Sequence, residues 1–417
     1  MKKIEIKQGI NLYLINDNKF KAFRACVMFH RPLCKEEVTK NTLLTAVMRQ
    51  QCKNYPDSKA ISMALENLYG ADLVARATKY GEEHLIKLGV QTVIDSVVGD
   101  ANFENAMALL SDIVLGSGNG KSFSSDIVET EKENIKDAIL SQKNDKRSYS
   151  VLRLQEEMCK DEPYGINPLG YASDLEKISA DELYKHYQKV LCESRADIIF
   201  AGNFDESEAK SAAEKIAANL CERNPQKIET KAVHSVKEIK TVTDKMDITQ
   251  GKLCMGFRCA KEISVKEYPA AVVYNTVFGG SATSKLFENV REKLSLCYYV
   301  TSSIDRLKQI MVVRSGVEFE SFQKAYDEIM LQQSKMVNGE ITPDEIETAK
   351  KQIVNAYQSN YDSIRALEEY YTMQILLGTD ISIEDMKKAV DAVSPGDIVE
   401  IAKAMLLDTV YYMDKEA

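Results

Sequence analysis

The chain repeats its own plan at half its length, and this limits the possible folds more than any single motif. Residues 25–48, "ACVMFHRPLCKEEVTKNTLLTAVM", and 253–277, "LCMGFRCAKEISVKEYPAAVVYNTV", share one layout. Each is a strand with Cys-x-x-Phe (Cys26 to Phe29, Cys254 to Phe257), then a polar charged loop, then an apolar helix. Further along, "ALENLYG" at 64–70 matches "LFENVRE" at 286–292. The offsets are about 228 and about 222 positions in a chain of 417. Solenoid repeats recur every ~20–50 residues, so this period belongs to a duplicated domain instead. Length agrees, since single cores stop growing near ~250–300 residues.

Each half reads strand, helix, helix, strands, paired helices and a final strand. In the first half "GEEHLIKLGVQTV" is strand-like, whereas "NFENAMALLSDIVL" and "SSDIVETEKENIKDAILSQKND" are helical. "SADELYKHYQKVL" opens with Ser179 and Glu182 in capping-box spacing, and "RADIIFAGNFD" is a buried strand ending in a turn. In the second half two helices break at Asn338-Gly339 and restart at Thr342-Pro343, and "SPGDIVEIAKAML" with "DTVYYMD" closes the repeat. The predicted fold class is α+β: two homologous α/β-sandwich domains related by pseudo-twofold duplication, helices on one sheet face. The predicted domains are 1–220 and 243–417, joined by the polar, Lys-rich segment 221–242.

Composition removes several function classes. The net charge of −9 is spread along the chain, and Lys-Arg pairs such as Lys146-Arg147 stand among acids. No basic stripe for a phosphate backbone follows, so nucleic acid is not an expected partner. No run approaches the ~18 apolar residues of a membrane span. The start, "MKKIEIKQGINLYLIND", alternates like a strand and lacks an apolar core and cleavage site, so a cytoplasmic protein beginning in a sheet is expected. Nine widely spaced cysteines without a CxxC pair are expected to be reduced and mostly buried. No Ser or Cys sits in a nucleophile-elbow context.

The stretch "SKLFENVREKLSLCYYVTSS" (284–303) reads as a short amphipathic helix running into a strand. Leu286, Val290 and Leu294 fall four apart as a buried stripe, which leaves Arg291 off it and Tyr298 in the strand beyond. With "FGGSAT" before it, this stretch resembles the second-domain signature of the M16 zinc peptidases, the insulinase and mitochondrial processing peptidase group. "EPYGINPLGYASDLEKISADELYKHYQKVL" followed by "ADIIFAGNFD" is similar to that family's first-domain ending. The resemblance runs along essentially the whole chain and implies LuxS/MPP-like sandwich domains. It also implies substrate-binding roles for Arg291 and Tyr298, which would hold a peptide near zinc. A guanidinium forks onto a peptide carbonyl or carboxylate, and a phenol can donate to a developing oxyanion. Read from local spacing alone, Arg291 pairs with a surface carboxylate and Tyr298 is a sheet residue. Ser281 and Ser295 stand where the family more often has Gly, and Lys285 where it often has Arg.

The other half of that family's active site is missing. Its HxxEH motif lies on the first helix of domain one, here "NTLLTAVMRQQC", which carries neither His nor Glu. The four histidines, His30, His84, His186 and His234, are far apart in sequence. Glu129, Glu131 and Glu133 are candidates for the third ligand, but catalytic zinc needs three protein ligands and these read as a solvated helix face. No metal or cofactor is therefore expected here, and the resemblance puts zinc in a partner subunit only. It implies a non-catalytic, peptide-binding subunit of a heteromeric M16 peptidase, inactive alone and paired with an HxxEH-bearing subunit around an extended peptide. Bacterial His-less relatives of this kind include a subfamily associated with elongation factor P modification. The alternative is a catalytically dead scaffold of a multiprotein complex, which would need neither Arg291 nor Tyr298.

Overall fold

A computed structural model of the chain describes residues 1–116 and 122–416. They form two compact units. One comprises Met1–Leu140, Ile166–Glu229 and Asn360–Asp380, and the other Ser141–Gly165, Thr230–Ser359 and Ile381–Ala417. Each unit therefore takes one helix-bearing segment from the opposite half of the chain.

The first unit is built on strands β1 (Lys2–Lys7), β2 (Ile10–Asn16), β3 (Ala22–Pro32), β4 (Asp72–Tyr80), β5 (Glu83–Val93) and β6 (Arg195–Gly202). Their order is β1-β2-β6-β3-β5-β4, with β2 and β6 parallel and the other neighbours antiparallel. The second unit holds β7 (Lys240–Met246), β8 (Gly251–Cys259), β9 (Cys297–Asp305), β10 (Ile310–Val317) and β11 (Met405–Lys415). Their order is β7-β11-β8-β10-β9, and only β7 and β11 are parallel. With β1 set aside, the two sheets repeat one order and one set of directions. Cys26 and Cys254 lie on the corresponding central strands β3 and β8, so the duplication seen in the sequence is a duplication of topology.

Strand alternation gives each sheet a dry face and a polar one. In the first unit Ala25, Val27 and Phe29 of β3 and Ile86, Leu88 and Val90 of β5 join the main core. That core also takes in helices Lys35–Met48, Asn102–Leu115, Ser125–Ser141, Ala180–Glu193 and Glu206–Ala218. The polar face meets Ile364–Leu377, a helix from the far end of the chain. Its Glu368, wholly buried, accepts a hydrogen bond from Arg24 Nε at 3.1 Å and pairs with Lys87. In the second unit Lys146–Met158 plays that part, with Leu154 packed among Cys254, Val312, Tyr411 and Met413. Gly256 allows the close approach, because a Cβ there would stand 2.5 Å from Met158 Sδ.

The expectation of helices on one sheet face thus needs correction, since a helix from the other half of the chain covers the second face. The polar loop expected after β3 is also helical from Lys35, where Glu36 and Glu37 in the first turn favour a helix N-terminus. The capping box at Ser179 and Glu182 is present. So are the break after Val337 and the restart at Pro343. The cysteines depart from expectation at one place: Cys192 and Cys221 form a disulfide. Arg223 donates to the carbonyls of Leu191 and Ser194, which folds the start of segment 221–242 back onto the end of the helix bearing Cys192. The remaining seven thiols are free, and all but Cys34 are buried.

Candidate functional site

The stretch carrying Arg291 and Tyr298 hangs from two widened helical turns, Thr276–Gly280 and Phe287–Lys293, both π-helical. Gly279 is required within the first of them, because a Cβ there would lie 2.7 Å from both Leu286 Cδ1 and Ser302 Oγ. A π-helix bonds i to i+5, so a stripe read at four-residue spacing drifts off the buried side. Leu286 and Val290 are fully buried, as expected, whereas Leu294 is 50% exposed. The turn stops at Ser295, which takes the left-handed conformation with φ 50° although it is not glycine. That conformation costs a non-glycine residue roughly 1–2 kcal/mol, so the stop is kept under strain. Lys285 is buried and bonded to Glu345 Oε1 at 2.8 Å.

Arg291 follows on the last turn, half exposed, with its guanidinium 4.6 Å from the Phe287 ring centroid and Nε 3.6 Å from Glu292 Oε1. Tyr298 is the second residue of β9, the edge strand of its sheet, and is 63% exposed. Its hydroxyl donates to Glu318 Oε1 at 2.6 Å, and this bond to a carboxylate raises the phenol pKa. Tyr298 also lines an open groove of ≈ 610 Å³ with Lys146, Asp247, Gln250, Lys252 and Glu318. Arg291 does not line that groove, and the two side chains share no bonding partner. The structure therefore presents both at the surface without joining them. Neither is consumed by packing: Tyr298 can exchange Glu318 for another acceptor, and among the described residues Arg291 is held by a ring and a neighbouring carboxylate.

The helix expected to carry the zinc motif tells a different story. Its Asn41 is fully buried between two imidazoles. Asn41 Oδ1 lies 2.7 Å from His186 Nε2, and Asn41 Nδ2 lies 3.2 Å from His84 Nδ1. One amide atom donates and the other accepts, so at least one ring must present a bare nitrogen. Both rings are held neutral, their pKa pushed down to about 4, mainly by burial. Of the three candidate glutamates, Glu129 and Glu133 are exposed and paired with Lys132 and Lys136. Glu131 departs from the expected solvated face: it is buried and accepts from Gln50 Nε2 at 3.0 Å and Asn134 Nδ2 at 3.2 Å.

Zinc does not fit these residues. The nitrogens of His84 and His186 that face each other are engaged by the Asn41 amide, and three protein ligands are needed. Among the described residues no group of three or more His, Cys, Asp and Glu is placed to hold a metal ion. A second buried histidine cluster is purely ionic. His30 lies between Glu83 Oε2 at 2.6 Å and Asp197 Oδ2 at 2.9 Å. Burial pushes its pKa down, but the two carboxylates outweigh this and raise it to about 9. Sequence distance hid these meetings, yet periodicity carried a trace of one. His84 alternates with Ile86 and Leu88 on the dry face of β5, and His186 shares a helical stripe with Leu183 and Val190.

Comparison with known proteins places the chain in a family. Residues 177–353 match the family model described as peptidase M16 inactive domain. The probable inactive metalloprotease YmfF of Bacillus subtilis (strain 168) is 33% identical over 408 residues, covering 97% of this chain and 96% of that protein. A conserved protein from Enterococcus faecalis V583 superposes with a TM-score of 0.91 at 29% identity, over 100% of this chain and 98% of the other. A peptidase M16 inactive domain from Pseudomonas fluorescens shares the fold with a TM-score of 0.83 at 16% identity, over 100% and 98%. The resemblance first carried by the signature stretches is thus borne out across the molecule, and the chain belongs to the M16 peptidase family as an inactive homologue.

Proposed function

We propose that this chain is the non-catalytic, peptide-holding subunit of a heteromeric M16 peptidase, with zinc and hydrolysis supplied by an HxxEH-bearing partner. One observation carries the reading. Tyr298 and Arg291 are presented on and beside an exposed edge strand, each solvent-accessible and held only by surface contacts that a peptide could displace. The first helix of the opposite unit is meanwhile given over to a buried amide–imidazole network. An edge strand offers unpaired backbone groups to an extended peptide. In this reading Tyr298 donates to the oxyanion formed at the partner's zinc, and Arg291 holds a carbonyl or carboxylate of the peptide. Both subunits would work in the cytoplasm.

The test is reconstitution with a zinc-bearing M16 subunit encoded beside this chain. Alone, the purified chain should bind no stoichiometric zinc and cleave no peptide. In the pair, Tyr298→Phe should lower kcat by ~10²–10³, the worth of one positioned oxyanion donor. Arg291→Ala should weaken peptide binding by about 1.5–3 kcal/mol, the range for a charged hydrogen bond. Both variants should leave assembly intact, since neither side chain is buried. Unchanged kinetics in an intact complex would instead favour the scaffold.

A further inference from the structure

Beside Tyr298, on the polar face of the second unit's sheet, lies a group of cations with no carboxylate at ion-pair distance among the described residues. Lys252 and Cys254 of β8 point to the face opposite Leu253 and Met255 of the core. Arg314 of β10 is in register with Cys254 on one side and Thr301 of β9 on the other. The next row is Lys252, Gly316 and Tyr299. Arg147, at the start of helix Lys146–Met158, stacks its guanidinium 4.1 Å from the Tyr299 ring centroid. Lys146 and Lys252 line the same groove as Tyr298.

None of these four cations has a carboxylate within 4.0 Å among the described residues. Lys252 is 9% exposed, and Gln250 Oε1, a neutral acceptor at 2.7 Å, meets its ammonium. Burial and the nearby Arg147 both lower the Lys252 pKa. Two buried donors in the cluster, Arg314 Nε and the Tyr299 hydroxyl, have no hydrogen-bond partner. The cluster is cationic within a protein of net charge −9. Three of the protein's buried arginines are met by carboxylates, Arg24 by Glu368, Arg31 by Glu37, and Arg258 by Glu162 and Asp408, while the buried Arg223 is met by backbone carbonyls. The nearby acids have other tasks or positions. Asp145 caps the helix, Glu318 holds Tyr298, and Asp247 lies exposed on the groove wall. Gathering like charges and leaving buried donors unpaired is unfavourable unless an anion completes the site.

We propose that Lys252, Arg314 and Arg147, with Lys146 and the Tyr299 hydroxyl, form a carboxylate-binding site selecting peptides with an acidic residue or a free C-terminus beside Tyr298. The proposal rests on the peptide-holding reading and adds to it the charge of the substrate. Guanidinium groups bind carboxylates through short, charge-assisted hydrogen bonds, two at a time where the geometry permits. Tyr299 adds a neutral donor, and the exposed Arg147 is the first cation an incoming anion meets.

Fluorescence anisotropy on the full-length chain tests this with labelled, unstructured peptides that differ only in Glu against Gln, each with a free or amidated C-terminus. The Glu peptides, or those with a free C-terminus, should bind about tenfold tighter at low salt, a gain of about 1.4 kcal/mol. Which pair differs identifies the source of the carboxylate. Arg314→Gln combined with Lys252→Gln should abolish the preference while leaving neutral-peptide affinity in place. Should that double variant unfold, the exposed Arg147→Gln reads the same loss in part. Equal binding of acidic and neutral peptides would overturn the carboxylate site and leave the subunit reading standing. No binding of any peptide, with or without the zinc-bearing partner, would overturn both.

Discussion

Two kinds of buried histidine sit in the first unit, and they pull its stability in opposite directions with pH. His84 and His186 flank Asn41 as neutral rings with pKa values near 4, against about 6.5 in an unfolded chain. Between those values the unfolded chain takes up protons that the folded one refuses. Their contribution is therefore complete above pH 6.5 and is lost as pH falls towards 4, on the order of 3 kcal/mol per ring. His30, raised to about 9 by Asp197 and Glu83, works the other way. Its contribution is complete below pH 6.5 and is lost as pH rises through 9. The melting temperature should peak near pH 6.5, with an acid limb that flattens in His186→Gln, whose amide can still donate to Asn41. Melts followed by circular dichroism from pH 4 to 9 measure both limbs, and an unchanged acid limb in that variant would count against the account.

At the scale of elements, the helix Ile364–Leu377 is joined to its sheet by charge. Glu368 answers two buried cations, Arg24 and Lys87, and Thr372 Oγ1 donates to it at 3.2 Å. Glu368→Ala leaves Lys87 without its carboxylate and Arg24 with only the exposed Asp72 at 3.7 Å, and should cost ~3–5 kcal/mol in urea unfolding. Replacing all three by apolar residues of similar volume should cost far less, because a buried pair stabilises little beyond a dry contact. The elements themselves were largely legible in the sequence: the strand alternation of 83–93, the cap at Ser179 and the break before Pro343 were all plain. Three things were not. Which sheet a helix covers is a long-range choice with no local signal, so the exchange of Ile364–Leu377 and Lys146–Met158 could not be read. The π-turn at Phe287–Lys293 misled the four-residue period at Leu294, because a local widening changes the phase. Arg291 and Tyr298 were legible only through the family signature, and the cation cluster around Tyr299 became visible only with strand register.

At the scale of the whole molecule, neither half of the chain is a complete folding unit. A fragment of residues 1–229 lacks the helix that covers Arg24 and Lys87, although it retains the dry core on the other face. It should melt with lower cooperativity than the full chain and should sharpen on addition of a synthetic peptide of residues 360–380. Calorimetry with and without the peptide decides this, and a fragment as stable as the intact protein and indifferent to the peptide would refute it.

The same exchange sets a timetable for synthesis. The ribosome must add about 150 residues after position 229 before the segment ending at Asp380 is finished. At ~5–20 residues per second this is a delay on the order of ten seconds. An apolar surface left open for that time invites aggregation. The waiting surface here carries an arginine and a lysine, which water solvates well until their glutamate emerges.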